Sequence, residues 1–119
     1  MLKLMSLGAA LILTSLATTA IAGPTGLSDG QYVAAARCEG LMASKALGKL
    51  DTAALDKMLK DEGGRRLAMV QDLADVARDD AARQASHAGE IGRAGLVAER
   101  GRQCQAFMAD AKSATAGGK

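Results

Sequence analysis

The sequence predicts an all-α protein, a small three- to four-helix bundle with one disulfide joining its first and last helices. Three observations lead there. The chain is dense in alanine, with one proline and only two aromatic residues, Tyr32 and Phe107, a composition that favours helix over strand. Apolar residues in its second half recur at spacings of three and four, the period of a helix face. Finally, its two cysteines, Cys38 and Cys104, fall within the first and last helical stretches.

The fate of those thiols depends on the compartment. The chain opens "MLKLMSLGAALILTSLATTAIAGPTG", in which Lys3 precedes an apolar run from Leu7 to Leu16. Ala20 and Ala22 fit the small-residue pattern of a signal-peptidase site, so cleavage is expected between Ala22 and Gly23. Pro24 and Gly26 would keep that site extended. An uncleaved anchor is the competing reading, because the uncharged stretch Leu4 to Pro24 is close to bilayer-spanning length. The short apolar region grading into threonine and serine favours the signal peptide. The expected organisation is a signal peptide at 1–22, an extended segment at 23–27, a helical domain at 28–113 and a flexible tail at 114–119. The mature chain is then periplasmic or secreted, without a stable membrane anchor.

In an oxidising compartment two cysteines usually pair. The rival uses need neighbours that the sequence lacks. Zinc takes four ligands, against two distant cysteines and one histidine, His87. A thioredoxin-like or haem-attachment site needs C-x-x-C, which is absent.

The helices follow in order. Ser28 and Gln31 have the spacing of a capping box and open a helix through "YVAAARCEGLMASKAL" to Gly48. Asp51 can cap a shorter helix, "TAALDKMLKDE", that ends at Gly63-Gly64. A third helix starts near Arg65. Its residues Val70, Leu73, Ala74, Ala77, Ala81, Ala85 and Ala88 make one apolar stripe, opposite Asp72, Asp75, Asp79 and Arg83. In "GEIGRAG" each of Gly89, Gly92 and Gly95 disfavours helix by about 1 kcal/mol relative to alanine, which marks a candidate hinge or a break. In the last helix Val97, Gly101, Cys104, Met108 and Ala111 share a face. A Cys38–Cys104 bond would clamp first helix to last, and Gly101 reads as the place where the two backbones come close. Tyr32 and Phe107 are expected to pack across the same two helices.

Candidate chemistry is sparse. His87 has Ser86 beside it and Glu90 at i+3, but adjacent side chains on a helix diverge, so a solvated residue near a helix end is the expected role. Asp72, Asp75, Asp79 and Asp80 lie on helical spacing rather than in a calcium loop, and Asp79 can pair with Arg83. "GEIGRAG" lacks the Lys-Ser/Thr of a phosphate loop. Met42, Met58, Met69 and Met108 are scattered, as core filler would be, not clustered as for copper. Fifteen basic residues against 13 acidic ones leave no basic patch for nucleic acid. Alanine, glycine and arginine abound and asparagine is absent, which fits a GC-rich bacterial genome.

The expectation is therefore a protein without catalytic activity, metal or cofactor. It would act in the bacterial cell envelope by binding another envelope protein, a peptide or a small apolar ligand in a helix groove. The alternative is a stress-conditional chaperone that exposes apolar surface on partial opening.

Overall fold

The structure is a computed structural model and describes residues 26–117, with side chains as far as residue 114. The leader, with its expected cut between Ala22 and Gly23, lies outside the described residues. Among the described residues there are four helices and no strand: α1 (Asp29–Ala43), α2 (Ala53–Gly63), α3 (Ala68–His87) and α4 (Glu90–Gly117). Cys38 and Cys104 are bonded, with Cα atoms 5.5 Å apart, and join α1 to α4.

α1 starts as its sequence dictates. The Ser28 hydroxyl accepts from Gln31 N at 3.1 Å and the Gln31 side chain accepts from Ser28 N at 2.9 Å, so two otherwise orphaned N–H groups are satisfied. Its end comes earlier than expected. Ser44 leaves the helix with extended backbone, and a turn closed by Gly48 at φ 82° swings Leu47 into the core. Leu50 N then donates to Met42 O at 2.8 Å, which folds the loop back against the helix it left. The position after this turn needs a left-handed backbone, which glycine adopts without strain.

At the start of α2, Asp51 acts from one residue further out than a cap. Its Oδ1 accepts from Ala53 N, while the Thr52 hydroxyl donates to Asp56 Oδ2, both at 3.0 Å. Leu55, Leu59 and Glu62 form the buried edge of this helix. The turn that follows is fixed by Arg66. Its guanidinium donates to Asp29 at 2.7 Å, to Glu62 at 2.8 Å and to the Leu27 carbonyl, and it lies over the Tyr32 ring, 5.3 Å from the centroid. Tyr32 is thus occupied near Gly63 and Arg66, while Phe107 is half-buried at the edge of the core.

α1 and α3 form the most extensive contact. Their pairings advance in step, from Leu27 with Arg66 to Glu39 with Arg78, so the two helices run side by side in one direction and α2 makes the return. The contact is close because its residues are small. Ala35, Ala36 and Gly40 on α1 and Ala74, Ala81 and Ala85 on α3 are all buried. A Cβ at Gly40 would overlap the Arg78 carbonyl oxygen and meet the Ala81 Cβ at 3.0 Å. The close backbone approach therefore lies at Gly40, not at Gly101, where an added Cβ meets nothing within 4 Å. The apolar stripe places Leu73 inside, but it is 53% exposed, because it stands one residue, about 100°, around the helix from buried Ala74. With Met69 and Val76, at i−4 and i+3, it lies on an outward apolar stripe. Met69 is accordingly not core filler, whereas Met42 is buried and Met58 and Met108 pack against the core.

The break before α4 falls at Ala88 and Gly89, with Ala88 extended and Gly89 O accepting from Arg93 N at 2.8 Å. Gly92 and Gly95 lie inside regular helix. α4 is long enough to cross α1 at the disulfide and reach α2, and it continues to Gly117, beyond the expected start of a tail. Burial of Cys104 and Ala111 along one line anchors it despite its glycines. Arg37 adds a polar tie, donating to Glu99 at 2.6 and 3.0 Å and to Gln84 at 2.9 Å, so that α1, α3 and α4 share one guanidinium.

Candidate functional site

Concave regions of several hundred Å³ lie in two places between the described helices. The first is a groove of about 440 Å³ along α4, roofed by the loop between α1 and α2. Its apolar surface comes from Leu50, Val97 and Met108, above the buried Met42 and Cys104 and with bare Gly101 among them. Its polar residues are Asp51, Arg100, Gln105 and Lys112.

The loop that roofs it is held in place by Arg100. This guanidinium donates to the Gly48 carbonyl at 2.8 Å and to the Leu47 carbonyl at 3.0 Å. Those carbonyls lie outside any helix and need donors. Arg100 thus defines the distance between Leu50 on the loop and Val97 and Gly101 on α4. Asp51 is likewise engaged, by Ala53 N. Among the described residues, Arg100 and Lys112 form no ion pair, so the groove carries two cations against one carboxylate.

The second region lies where α1, α2 and α3 meet. Glu39, Asp56 and Arg78 line clefts of about 380 and 520 Å³ on either side of one polar cluster. Arg78 Nε donates to Glu39, and its Nη1 donates to Asp75 at 2.8 Å. Burial and hydrogen bonding to Asp56 push the Glu39 carboxyl up to about 7, against the pull of Arg78. A carboxyl that keeps its proton in the folded chain and loses it on unfolding makes stability fall as pH rises. That fall runs from the ordinary 4.5 to about 7, and the loss persists above it. Glu39→Gln keeps an acceptor for Arg78 and gains a donor for Asp56. It is expected to raise stability near pH 8 by about 1–2 kcal/mol, a figure discounted for solvent in the open clefts, and to change little near pH 5. Thermal melts of both proteins across that range check this; parallel pH profiles would contradict it. Glu99 has the opposite sign. The hydrogen bonds from Arg37 hold it below the usual carboxylate range, so its contribution is lost as pH falls.

The residues singled out in the sequence are dispersed otherwise. His87 is exposed in the last turn of α3 and Asp72 nearer its start, while Asp75 and Asp79 are exposed at the rims of the two clefts. Arg83 pairs with Asp80 at i+3, not with Asp79. Among the described residues no three metal-ligating side chains converge. The closed disulfide is compatible with a periplasmic or extracellular setting. Among the described residues no helix is long and apolar enough to cross a membrane.

Together these features define a disulfide-closed four-helix bundle with an apolar, cation-bearing groove on its last helix. No family model, curated protein or solved structure matches the chain.

Proposed function

We propose that the protein is a non-enzymatic binding protein of the periplasm or extracellular space, and that its ligand occupies the groove along α4. The observation that carries this reading is the state of Gly101. A helix-interior glycine costs about 0.5–1 kcal/mol relative to alanine. Here no contact requires it, since an added Cβ would meet nothing within 4 Å, and its bareness serves to keep the groove open. Met108 on the wall is flexible enough to fit more than one apolar shape.

The test is to purify the protein from its own envelope fraction, beside a Gly101→Leu variant, and to identify by native mass spectrometry what stays bound. A ligand or partner retained by the parent and lost from the variant is the expected result. Equal retention by both, or none by either, counts against the groove.

A second reading, a stress-conditional chaperone, is favoured by the outward stripe on α3. Met69, Leu73 and Val76, at i, i+4 and i+7, are 68%, 53% and 54% exposed on one face. Contiguous apolar exposure of this kind is a common mark of an interaction site. Light scattering of a heat- or acid-stressed client should be suppressed by the parent and less so by Leu73→Glu. No suppression by the parent removes this reading.

A further inference from the structure

We infer that the occupant of the α4 groove is a single-chain amphiphile with a carboxylate head, a fatty-acid-like molecule whose tail runs along α4 and whose head meets Lys112. The inference rests on the binding-protein reading above and narrows it to one chemical class.

Shape comes first. The lining residues run along α4 from Val97 to Lys112, which at the rise of an α-helix is a strip about 22 Å long. Its volume of about 440 Å³ sits toward the small end of ligand pockets, which span about 300–1,000 Å³. A long, narrow, open-topped slot fits one acyl chain.

Polarity then separates an acyl chain from a peptide. An extended peptide brings a backbone N–H and C=O at every residue, and each needs a partner when it leaves water. The groove has little to offer them. Two N–H groups of Arg100 are spent on the Leu47 and Gly48 carbonyls, and Asp51 accepts from Ala53 N. That leaves the remaining N–H groups of Arg100, the second oxygen of Asp51, Gln105 and Lys112 to serve a backbone that would need partners at every residue of the strip. An acyl chain asks nothing of the walls along its length. It needs apolar contact from Leu50, Val97 and Met108, and one polar partner at its end.

Charge selects the head. Lys112 lies at one end of the strip, exposed and without an ion-pair partner among the described residues. Arg100 adds a second positive charge toward the other end, and its side chain is already fixed. Asp51 offsets only one of the two. An anionic head is attracted at Lys112, and a cationic head is repelled.

The experiment uses the intact protein and dansyl-labelled undecanoate as a fluorescent probe, below its critical micelle concentration. Dodecanoate and dodecyltrimethylammonium serve as competitors. The probe should bind and be displaced by dodecanoate at least tenfold better than by the cationic analogue. Gly101→Leu, which fills the slot without touching another group at its Cβ, should weaken the probe at least tenfold while circular dichroism and melting stay native-like. Lys112→Met should weaken dodecanoate about fivefold, the loss of one exposed charge contact of about 1 kcal/mol, and leave dodecanol unchanged.

Equal displacement by both heads overturns the carboxylate assignment. Absence of probe binding, together with a partner lost from Gly101→Leu in the envelope experiment, overturns the amphiphile and leaves the binding-protein reading standing. Unchanged probe binding by Gly101→Leu shows that the groove is not the site and overturns both.

Discussion

Replacing both cysteines, Cys38→Ala with Cys104→Ala, is expected to remove about 4 kcal/mol of stability, the entropy that a cross-link of this span takes from the unfolded chain. For a domain of this size each kcal/mol moves the melting temperature by about 4–8 °C, so a fall of about 15 °C or more should be seen. The parent melted in reductant should show a similar loss. Several features make the effect large. The bond joins positions 66 apart, and its Cα separation of 5.5 Å lies within the usual range for unstrained disulfides. Both sulfurs are buried, so alanine is the appropriate replacement and serine would add an unpaired hydroxyl. The core offers little compensation, for its largest fully buried side chains are only Leu41, Leu55 and Cys104 itself. Against a usual total of about 5–15 kcal/mol, the bond is a substantial fraction of what holds the fold. A fall of only a degree or two would mean that the contact of α4 with α2, and the Arg37–Glu99 pair, secure the last helix without it.

What was legible in the sequence was what neighbouring residues decide. The Ser28–Gln31 capping box is local chemistry, and it forms as read. The pairing of Cys38 with Cys104 was legible for a different reason. Apolar neighbours put both on inward helix faces, and no competing use for a thiol had its other ligands. The errors arose where a distant part of the chain decides. Continuing α1 to Gly48 fits its composition, yet the turn at Ser44 is worth making because it buries Leu47. Leu73 fits an apolar stripe by periodicity, but the face that α1 covers is the narrower line of Val70, Ala74, Ala81 and Ala85, and Leu73 falls beside it. Gly101 was assigned to a close contact because it precedes Cys104 by one turn, whereas it faces open space beside the groove.

The candidate sites were less legible still, and for the same reason. The groove is a gap between α4 and the loop of Leu50 and Asp51, whose path depends on the early end of α1 at Ala43. Glu39, Asp56 and Arg78 come from three different helices and share no spacing in the sequence. The only advance signal was a mismatch, a helix-interior glycine with no turn to make. Such a residue indicates either a close approach or an opening, and the two can be told apart only by what its missing Cβ would touch.

That distinction gives the second large effect, at Gly40. Glycine to alanine inside a helix ordinarily stabilises by about 0.5–1 kcal/mol. Gly95→Ala, where the new Cβ meets nothing within 4 Å, should follow that rule. Gly40→Ala should reverse it and cost about 2–3 kcal/mol, since the added methyl runs into a backbone oxygen that cannot swing aside as a side chain could. Gly40→Leu is expected not to fold. The obstructing oxygen belongs to Arg78, whose guanidinium also holds Glu39, the residue before Gly40 on α1. Forcing the helices apart at Gly40 therefore draws Arg78 from Glu39 and opens that carboxyl to water. Gly40→Ala should show a lower urea midpoint together with a flatter dependence of stability on pH between about 5 and 8, because a solvated Glu39 titrates near its unfolded value. A lower midpoint with an unchanged pH slope would separate the two effects and mean that Glu39 does not depend on the tight α1–α3 contact. An unchanged or higher midpoint would mean that the helices tolerate a wider spacing, and the alanine line of α3 would then need another explanation.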